Sequence, residues 1–169
     1  MKNIYYKISI VTITKNDLEN LQKTMCSIRN QDCQNFEHII IDGASTDGTQ
    51  KFLSNYTAIR TKVISERDTG IYDAMNKGVK YSEGQYLLYL NGGDELYDKT
   101  IITKLINKIK DDDTKLYYGD VECVTNEKNR EKKIIKAFKN KFMLRHIRPP
   151  AHPSILFPRT FLEENPYDC

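Results

Sequence analysis

Strand-like and helix-like segments alternate along the first 123 residues, and this alternation limits the fold more than any other feature of the sequence. Short apolar runs typical of buried strands are followed by segments with apolar residues three and four positions apart, as in amphipathic helices. The predicted strands are Lys7–Thr14, Glu37–Asp42, Lys62–Ser65, Gln85–Asn91 and Lys115–Cys123, and the predicted helices run from Asn16 or Asp17 to Gln31, Thr49–Asn55, Gly70–Tyr81 and Lys99–Lys110. This order predicts an α/β fold with a mostly parallel sheet flanked by helices on both faces.

The pattern stops after Cys123, and the rest of the chain has a different character. A basic segment, Glu127–Arg148, is followed by the proline-rich stretch Pro149–Pro153. The length of 169 residues suits one domain with its own core. We expect residues 1–124 to form the α/β unit and residues 125–169 to be an extension or an incomplete second part.

Several classes of protein are not expected from the sequence. The apolar residues near the amino terminus alternate with polar ones, which indicates a strand and not a secretory signal, and no apolar run approaches the ~20 residues that span a bilayer. The four cysteines form no CxxC pair and there are three histidines, so a zinc site is not expected. These features predict a cytoplasmic protein, and no nucleic-acid partner is expected.

The charge of the chain is unevenly distributed. The basic segment carries nine Lys or Arg and two Glu, a net charge of +7, so the remainder carries −4 out of a total of +3. Such a segment suits an anionic partner, for example a membrane surface, and it is equally consistent with a solvated basic loop or helix.

Acidic residues follow the predicted strands. In open α/β sheets ligands bind outside the carboxyl ends of the strands, and those ends carry Asp42, Asp68 and Asp94. Carboxylates gathered at one edge can hold a hard cation or accept hydrogen bonds from ribose and base. The chain has no GxGxxG and no GxxxxGK[ST] motif, which argues against a dinucleotide cofactor and against a P-loop hydrolase.

Four stretches at these strand ends resemble the successive signatures of glycosyltransferase family 2, most closely those of bacterial enzymes that build surface polysaccharides. They are Ser9–Asn16 (SIVTITKN), Ile39–Thr49 (IIIDGASTDGT), Ile64–Gly78 (ISERDTGIYDAMNKG) and Tyr89–Asp94 (YLNGGD). The resemblance implies the GT-A fold and the transfer of a sugar from a nucleoside diphosphate to an acceptor hydroxyl, with inversion at the sugar.

The resemblance also implies a donor site. Residues matching the family's donor-binding motifs are Thr14, Asn16, Asp42, Asp68, Tyr72, Asp73 and Asn76. Asp42 matches the aspartate that binds the nucleobase, and a carboxylate there favours uracil or thymine because it accepts from the N3–H group. The alternatives are structural: Asp42 forms an Asx turn, and Asn16 caps the first helix.

Asp94 matches the last aspartate of the family's metal motif, which implies Mn²⁺ or Mg²⁺ on the diphosphate. Gly93 stands where many members have another aspartate, so one possible ligand is lost. Asp120 and His152 lie in the regions that match the acceptor side. In the family the general base lies further along the chain, and we expect it just past residue 169.

Three functions remain open from the sequence. The first is a glycosyltransferase acting on a glycan or lipid-linked saccharide, with the basic segment at the inner face of the membrane. The second is a nucleotide-sugar-binding module without turnover. The third is a nucleotidyltransferase, for which a glycine-rich loop would be expected after the first strand, whereas Thr14–Glu19 contains no glycine.

Overall fold

The computed structural model describes residues 6–109, 115–126, 131–137 and 151–169. Eight strands and five helices alternate along these ranges, with a short 3₁₀ turn at His152–Ser154. The strands are β1 (Ile8–Thr14), β2 (Phe36–Asp42), β3 (Thr61–Ser65), β4 (Tyr86–Tyr89), β5 (Tyr117–Tyr118), β6 (Val121–Asn126), β7 (Glu131–Ile135) and β8 (Ile155–Pro158). The helices are α1 (Leu18–Arg29), α2 (Thr49–Ser54), α3 (Ile71–Tyr81), α4 (Ile101–Lys108) and α5 (Arg159–Glu164).

Six strands form the central sheet in the order β3-β2-β1-β4-β8-β5. The first four in this order are parallel, and β8 pairs antiparallel with both β4 and β5. The prediction of an α/β fold with a mostly parallel sheet is confirmed.

The core fills both faces of the sheet because the central strands carry apolar residues on both sides. On one face Val11, Ile41 and Leu87 pack with Met75 of α3. On the other face β1 and β4 pack against α1 and α4, as Ile10 does with Ile28 and Ile102. Burial of one such side chain contributes about 1.5–3 kcal/mol, so the sheet is a rigid support for the loops at its edges.

The region predicted as one strand, Lys115–Cys123, is divided in two, and that prediction is wrong. The N–H group of Gly119 donates to Ser154 O (3.0 Å), which extends the pairing of β5 with β8. After Asp120 the chain leaves this sheet, and β6 pairs with β7 in a separate two-stranded antiparallel sheet. A two-residue break at Gly119-Asp120 therefore separates two strands with different partners.

Residues beyond 124 contribute to the central sheet, because β8 lies between β4 and β5. The boundary at residue 124 stays a prediction. Most of the basic segment, residues 127–130 and 138–148, lies outside the described residues. Within the described ranges, no helix has the length and apolar character needed to cross a bilayer.

Candidate functional site

The carboxyl ends of four parallel strands meet at one edge of the sheet, which we call the carboxyl rim. Thr14 of β1 pairs with Asp42 of β2, and Asp42 pairs with Ser65 of β3. The N–H group of Gly92, just after β4, donates to Ile13 O (3.1 Å). Pairing in the sheet therefore places the loops that carry the predicted residues side by side.

Asp42 is fully buried at the carboxyl rim, and its carboxylate is already hydrogen-bonded. Oδ1 accepts from the N–H group of Ser45 (3.2 Å) and from the Ser45 hydroxyl, and Oδ2 accepts from the Ser65 hydroxyl (2.6 Å). Asp42 thus organises the β2–α2 loop in the manner of an Asx turn. Ser65 is exposed, so the hydrogen bond from its hydroxyl links the buried Asp42 carboxylate to a surface residue.

Asn16 joins the first two loops of the carboxyl rim. Its backbone is left-handed (φ 53°), its N–H group donates to Ser45 Oγ (2.7 Å), and its Oδ1 accepts from the Thr46 N–H group (2.7 Å). The side chain that caps α1 is Asp17, which accepts from the Asn20 N–H group (3.4 Å). The helix-capping alternative for Asn16 is therefore wrong, because its amide is bonded to the neighbouring loop.

Asp68 lies against the backbone of Gly43. A Cβ atom at Gly43 would collide with the Asp68 carboxylate, so any other residue at this position would force the end of the Asp68 side chain to move. The carboxylate is largely buried and lies 3.7 Å from Lys15 Nζ. Lys15 and Asp68 thus bring the first and third loops together over the second.

Asp94 is half-buried and has little compensation for its charge. Oδ2 accepts from the Asn91 N–H group (3.0 Å), and no ion pair to Asp94 occurs in the described part of the chain. Burial raises the pKa of Asp94, and the hydrogen bond from Asn91 opposes this only in part. A cation beside this carboxylate would remove the unfavourable effect of burial.

Two buried oxygen atoms near Asp94 receive no hydrogen bond from the described residues: Thr14 Oγ1 and Asn91 Oδ1. A Cβ atom at Gly92 would lie 3.7 Å from Thr14 Oγ1, which places this hydroxyl at the turn that leads to Asp94. Buried polar atoms are normally paired, so these two atoms are exceptions, and an ordered water or a ligand would supply the missing partner. Sequence reasoning overlooked Asn91, although it lies within the YLNGGD stretch.

These atoms are chemically suited to Mn²⁺ or Mg²⁺, which prefer carboxylate and amide oxygens. Within the described ranges, no group of three His, Cys, Asp or Glu side chains could hold a metal ion. A metal here would need oxygens from a ligand in addition to Asp94, and a diphosphate supplies them.

The first turn of α3 carries two predicted residues. The N–H group of Thr69 donates to Asp73 Oδ2 (3.0 Å), and Lys77 Nζ lies 3.4 Å from the same oxygen. The Thr69 hydrogen bond, with Lys77, lowers the pKa of Asp73. Tyr72 is about half exposed and stacks on Tyr167, with ring centroids 5.4 Å apart.

Asn76 contacts the backbone of Tyr167. Its Nδ2 donates to Tyr167 O (2.9 Å), and its Oδ1 accepts from the Tyr167 N–H group (3.0 Å). Sequence reasoning missed Tyr167, because a contact between residues 91 positions apart leaves no local signal.

The acceptor-side candidates lie in two places. His152 precedes β8 at the carboxyl rim, half-buried among the rings of Tyr89, Phe157 and Tyr167 at 5.9–6.4 Å, and burial lowers the pKa of His152. Asp120 follows β5, two strand positions or about 10 Å from β4. Its carboxylate accepts from Lys136 Nζ and the Ala137 N–H group, both at 2.8 Å.

The structure therefore gathers most of the predicted residues at the carboxyl rim and on the adjoining turn of α3. Asp120 lies apart, beside the β6–β7 hairpin. Among the described residues, the rim has a carboxylate without a cation next to buried oxygens without partners, and this combination suits a ligand that brings both a metal and hydrogen-bond donors.

Solved structures with a similar architecture contain nucleotide sugars. Staphylococcus aureus TarS 1–349, solved in complex with UDP-GlcNAc, superposes with a TM-score of 0.76 at 19% identity, covering 94% of this chain and 47% of TarS. The mannosyltransferase PcManGT from Pyrobaculum calidifontis, solved with GDP-Man and Mn²⁺, gives a TM-score of 0.65 at 17% identity over 95% of this chain and 46% of that one. At such identities the likeness shows the fold, which is GT-A.

Curated relatives are more similar in sequence. A PGL/p-HBAD biosynthesis glycosyltransferase of Mycobacterium tuberculosis is 36% identical over 117 residues, which is 67% of this chain and 46% of that protein. A cholesterol galactosyltransferase of Borreliella burgdorferi is 29% identical over 122 residues, which is 70% of this chain and 32% of that protein. The chain thus spans less than half the length of these relatives.

A sequence model described as glycosyl transferase family 2 matches residues 9–164, which include all four stretches at the carboxyl rim. The match covers well over half of the chain and agrees with the fold and with the similar sequences. The protein belongs to glycosyl transferase family 2.

Proposed function

We propose that the carboxyl rim is the donor site of a glycosyltransferase that moves a sugar from a nucleoside diphosphate to an acceptor hydroxyl, with inversion. The observation that carries the proposal is the half-buried Asp94 carboxylate, which has no cationic partner in the described ranges and adjoins the unpaired oxygens of Thr14 and Asn91. Sites that are incomplete without a ligand are typical of binding and catalysis and not of core packing.

In this proposal Asp94 holds Mn²⁺ or Mg²⁺, with Asn91 as a second candidate oxygen ligand. The metal would act as a Lewis acid that offsets the charge developing on the departing nucleoside diphosphate. Gly93 contributes no side chain, and its left-handed backbone (φ 97°) turns the chain from Asn91 to Asp94. The motif therefore offers one carboxylate, Asp94, where many family members have two.

Asp42 would recognise the nucleobase through exchange of hydrogen bonds. Its Oδ2 now accepts from the Ser65 hydroxyl, and rotation of this exposed hydroxyl would release the oxygen for a base N–H group. A carboxylate accepts from uracil or thymine N3–H and is repelled by cytosine N3, which is an acceptor, so UDP or dTDP donors are favoured over CDP donors. Tyr72, Asp68 and Asp73 would line the same site from the adjoining loops.

The acceptor would approach from the side of β8, where His152 lies. Burial lowers the pKa of His152, so the ring is neutral near pH 7 and can accept or donate one hydrogen bond to a sugar hydroxyl. Asp120 is a weaker acceptor-side candidate because Lys136 already neutralises it at 2.8 Å. The acceptor class proposed is a glycan or lipid-linked saccharide in glycan biosynthesis.

The basic segment would hold the protein at the anionic inner face of the membrane. Its three described lysines, Lys132, Lys133 and Lys136, are all exposed. Lys132 forms an ion pair with Glu122 (2.6 Å), and Lys136 forms one with Asp120 (2.8 Å). The test is binding to vesicles containing anionic lipid. A triple Lys→Glu variant at Lys132, Lys133 and Lys136 should lose binding, and a triple Lys→Glu variant at Lys51, Lys80 and Lys108 should keep it. Equal losses in both variants would contradict a specific role for the segment.

The donor site is tested by titration calorimetry with UDP, dTDP and CDP in the presence of Mn²⁺. UDP or dTDP should bind at least tenfold more tightly than CDP, and Asp42→Asn should reduce that difference in affinity. Hydrolysis of a UDP-sugar would then separate an enzyme from a binding module without turnover. Equal affinities for all three nucleotides would contradict the role given to Asp42.

A further inference from the structure

Asn76 uses its whole carboxamide on the chain that follows α5. Nδ2 donates to Tyr167 O (2.9 Å) and lies 3.4 Å from Cys169 Sγ, while Oδ1 accepts from the Tyr167 N–H group (3.0 Å). Both amide hydrogens are thereby committed, and one lone pair of Oδ1 is left. An amide that pairs with both backbone groups of one residue fixes that residue in place.

The ring of Tyr167 is fixed as well. It stacks on Tyr72 of α3, with ring planes 12° apart, and contacts Tyr89 (6.4 Å) and His152 (5.9 Å) edge-on. Tyr167 thus lies between the first turn of α3, which carries donor-site candidates, and the segment of His152, which carries an acceptor-side candidate. We call the contacts of Asn76 and Tyr72 with Tyr167 the α3 latch.

We propose that Asn76 is a positioning residue: through the α3 latch it sets the spacing between the donor side and the acceptor side of the site, and it does not bind the donor itself. This inference rests on the proposed function. It reassigns a residue that sequence motifs place among the donor contacts. Loss of the latch should impair turnover and leave donor binding intact, because Asp94 and Asp42 lie on other loops.

The experiment compares the wild-type chain with Asn76→Ala and with Lys80→Ala, an exposed substitution one turn further along α3. Hydrogen exchange of the Tyr167 amide proton, followed by NMR, reports the latch directly. Asn76→Ala should accelerate this exchange about tenfold, and Lys80→Ala should leave it unchanged. Asn76→Asp keeps an acceptor for the Tyr167 N–H group but places a carboxylate against the Tyr167 carbonyl oxygen. The exchange rate of the Tyr167 amide in this variant should therefore be intermediate between those of the wild type and of Asn76→Ala.

Donor hydrolysis supplies the functional readout. In Asn76→Ala, kcat should fall about tenfold, while KM and the calorimetric Kd for the donor stay within twofold of the wild type.

Two results would overturn the inference: unchanged exchange of the Tyr167 amide in Asn76→Ala, or donor affinity weakened tenfold with kcat unchanged. If the wild-type chain binds and hydrolyses no donor, the proposed function fails and the positioning role fails with it. The exchange data would still show whether the α3 latch forms.

Discussion

The buried carboxylate of Glu37 and the half-buried carboxylate of Asp94 lie at opposite edges of the same sheet, and their surroundings differ. Glu37, near the start of β2, has Oε1 hydrogen-bonded by the Ser9 hydroxyl (2.7 Å) and the N–H groups of Glu83 (2.5 Å) and Gly84 (3.1 Å). Its Oε2 accepts no hydrogen bond from the residues that the structure describes, and Lys62 Nζ lies 3.4 Å from it. Asp94, beyond the end of β4, has one N–H donor and no cationic partner among the described residues.

The difference separates a structural role from a functional one. The protein's own donors and a lysine stabilise Glu37, so that edge is complete without a ligand. Asp94 and the two oxygens beside it, which lack partners among the described residues, are in an unfavourable local environment that an added partner would relieve. A charge buried without compensation is costly, and functional sites are where a fold tolerates it.

The largest expected effect on stability is at Glu37. Glu37→Ala leaves the Ser9 hydroxyl and two N–H groups without their acceptor, so we expect a loss of about 4 kcal/mol and a drop in Tm of roughly 10 °C. Thermal unfolding with and without UDP measures it, and nucleotide affinity of the folded protein should not change. Glu163→Ala, which breaks the exposed pair with Arg159 (2.6 Å), should cost less than about 1 kcal/mol. Similar losses of stability in both variants would contradict the structural role given to Glu37.

Acid should destabilise the protein through His38, the buried residue next to Glu37. Its Nε2 lies 2.9 Å from Thr12 Oγ1, and burial lowers the pKa of His38 to about 3. Because the pKa of His38 is lower in the folded protein than in the unfolded chain, the free energy of unfolding is highest above about pH 6.5 and falls as the pH drops toward 3. The loss should reach about 3 kcal/mol at pH 4. Urea unfolding at several pH values measures this slope, which His38→Gln should flatten. An unchanged slope in the variant would exclude His38 as the cause.

A smaller effect is expected where Gly43 meets Asp68. Gly43→Ala forces the end of the Asp68 side chain away from the backbone, which should cost no more than about 1 kcal/mol because this carboxylate can rotate, and it should weaken nucleotide binding. Gly119→Ala is the matched control, because no heavy atom of the described residues lies within 4 Å of its added Cβ. Thermal unfolding and calorimetry on both variants check this, and an equal response would show that the close approach is unimportant.

The smallest effect on stability is expected at Asp94, with the opposite sign. Burial raises the pKa of Asp94 in the folded protein above its value in the unfolded chain. The free energy of unfolding therefore falls as the pH rises from the unfolded-state pKa to the folded-state pKa, and Asp94→Asn removes this loss. The variant should be slightly more stable at pH 7, by less than about 1 kcal/mol, and no more stable at pH 3. Urea unfolding at both pH values tests this, and a large loss at pH 7 would give Asp94 the structural role of Glu37.

The positions of the first four strands and the grouping of the residues at their ends followed from the sequence, because apolar runs and loop motifs are local signals. The antiparallel pairing of β8 with β4 and β5 did not, since pairing between distant segments leaves no local signal. The bonding of Asp42 to Ser65 and of Asn76 to Tyr167 also could not be predicted, because both depend on residues brought together by the fold. Motifs identified the functional edge, and only the structure showed which side chains there lack partners.

The most direct test of the donor site is the Tm of the wild-type chain and of Asp94→Asn with UDP, measured with and without Mn²⁺. A ligand at 100 times its Kd stabilises a protein by about 2.7 kcal/mol, which corresponds to a shift of roughly 5–10 °C for a chain of this size. We expect such a shift for the wild type only when UDP and Mn²⁺ are both present, and no shift for Asp94→Asn. An equal shift in the two proteins, or no shift with any nucleotide and metal, would contradict the assignment of Asp94 to a metal-dependent donor site.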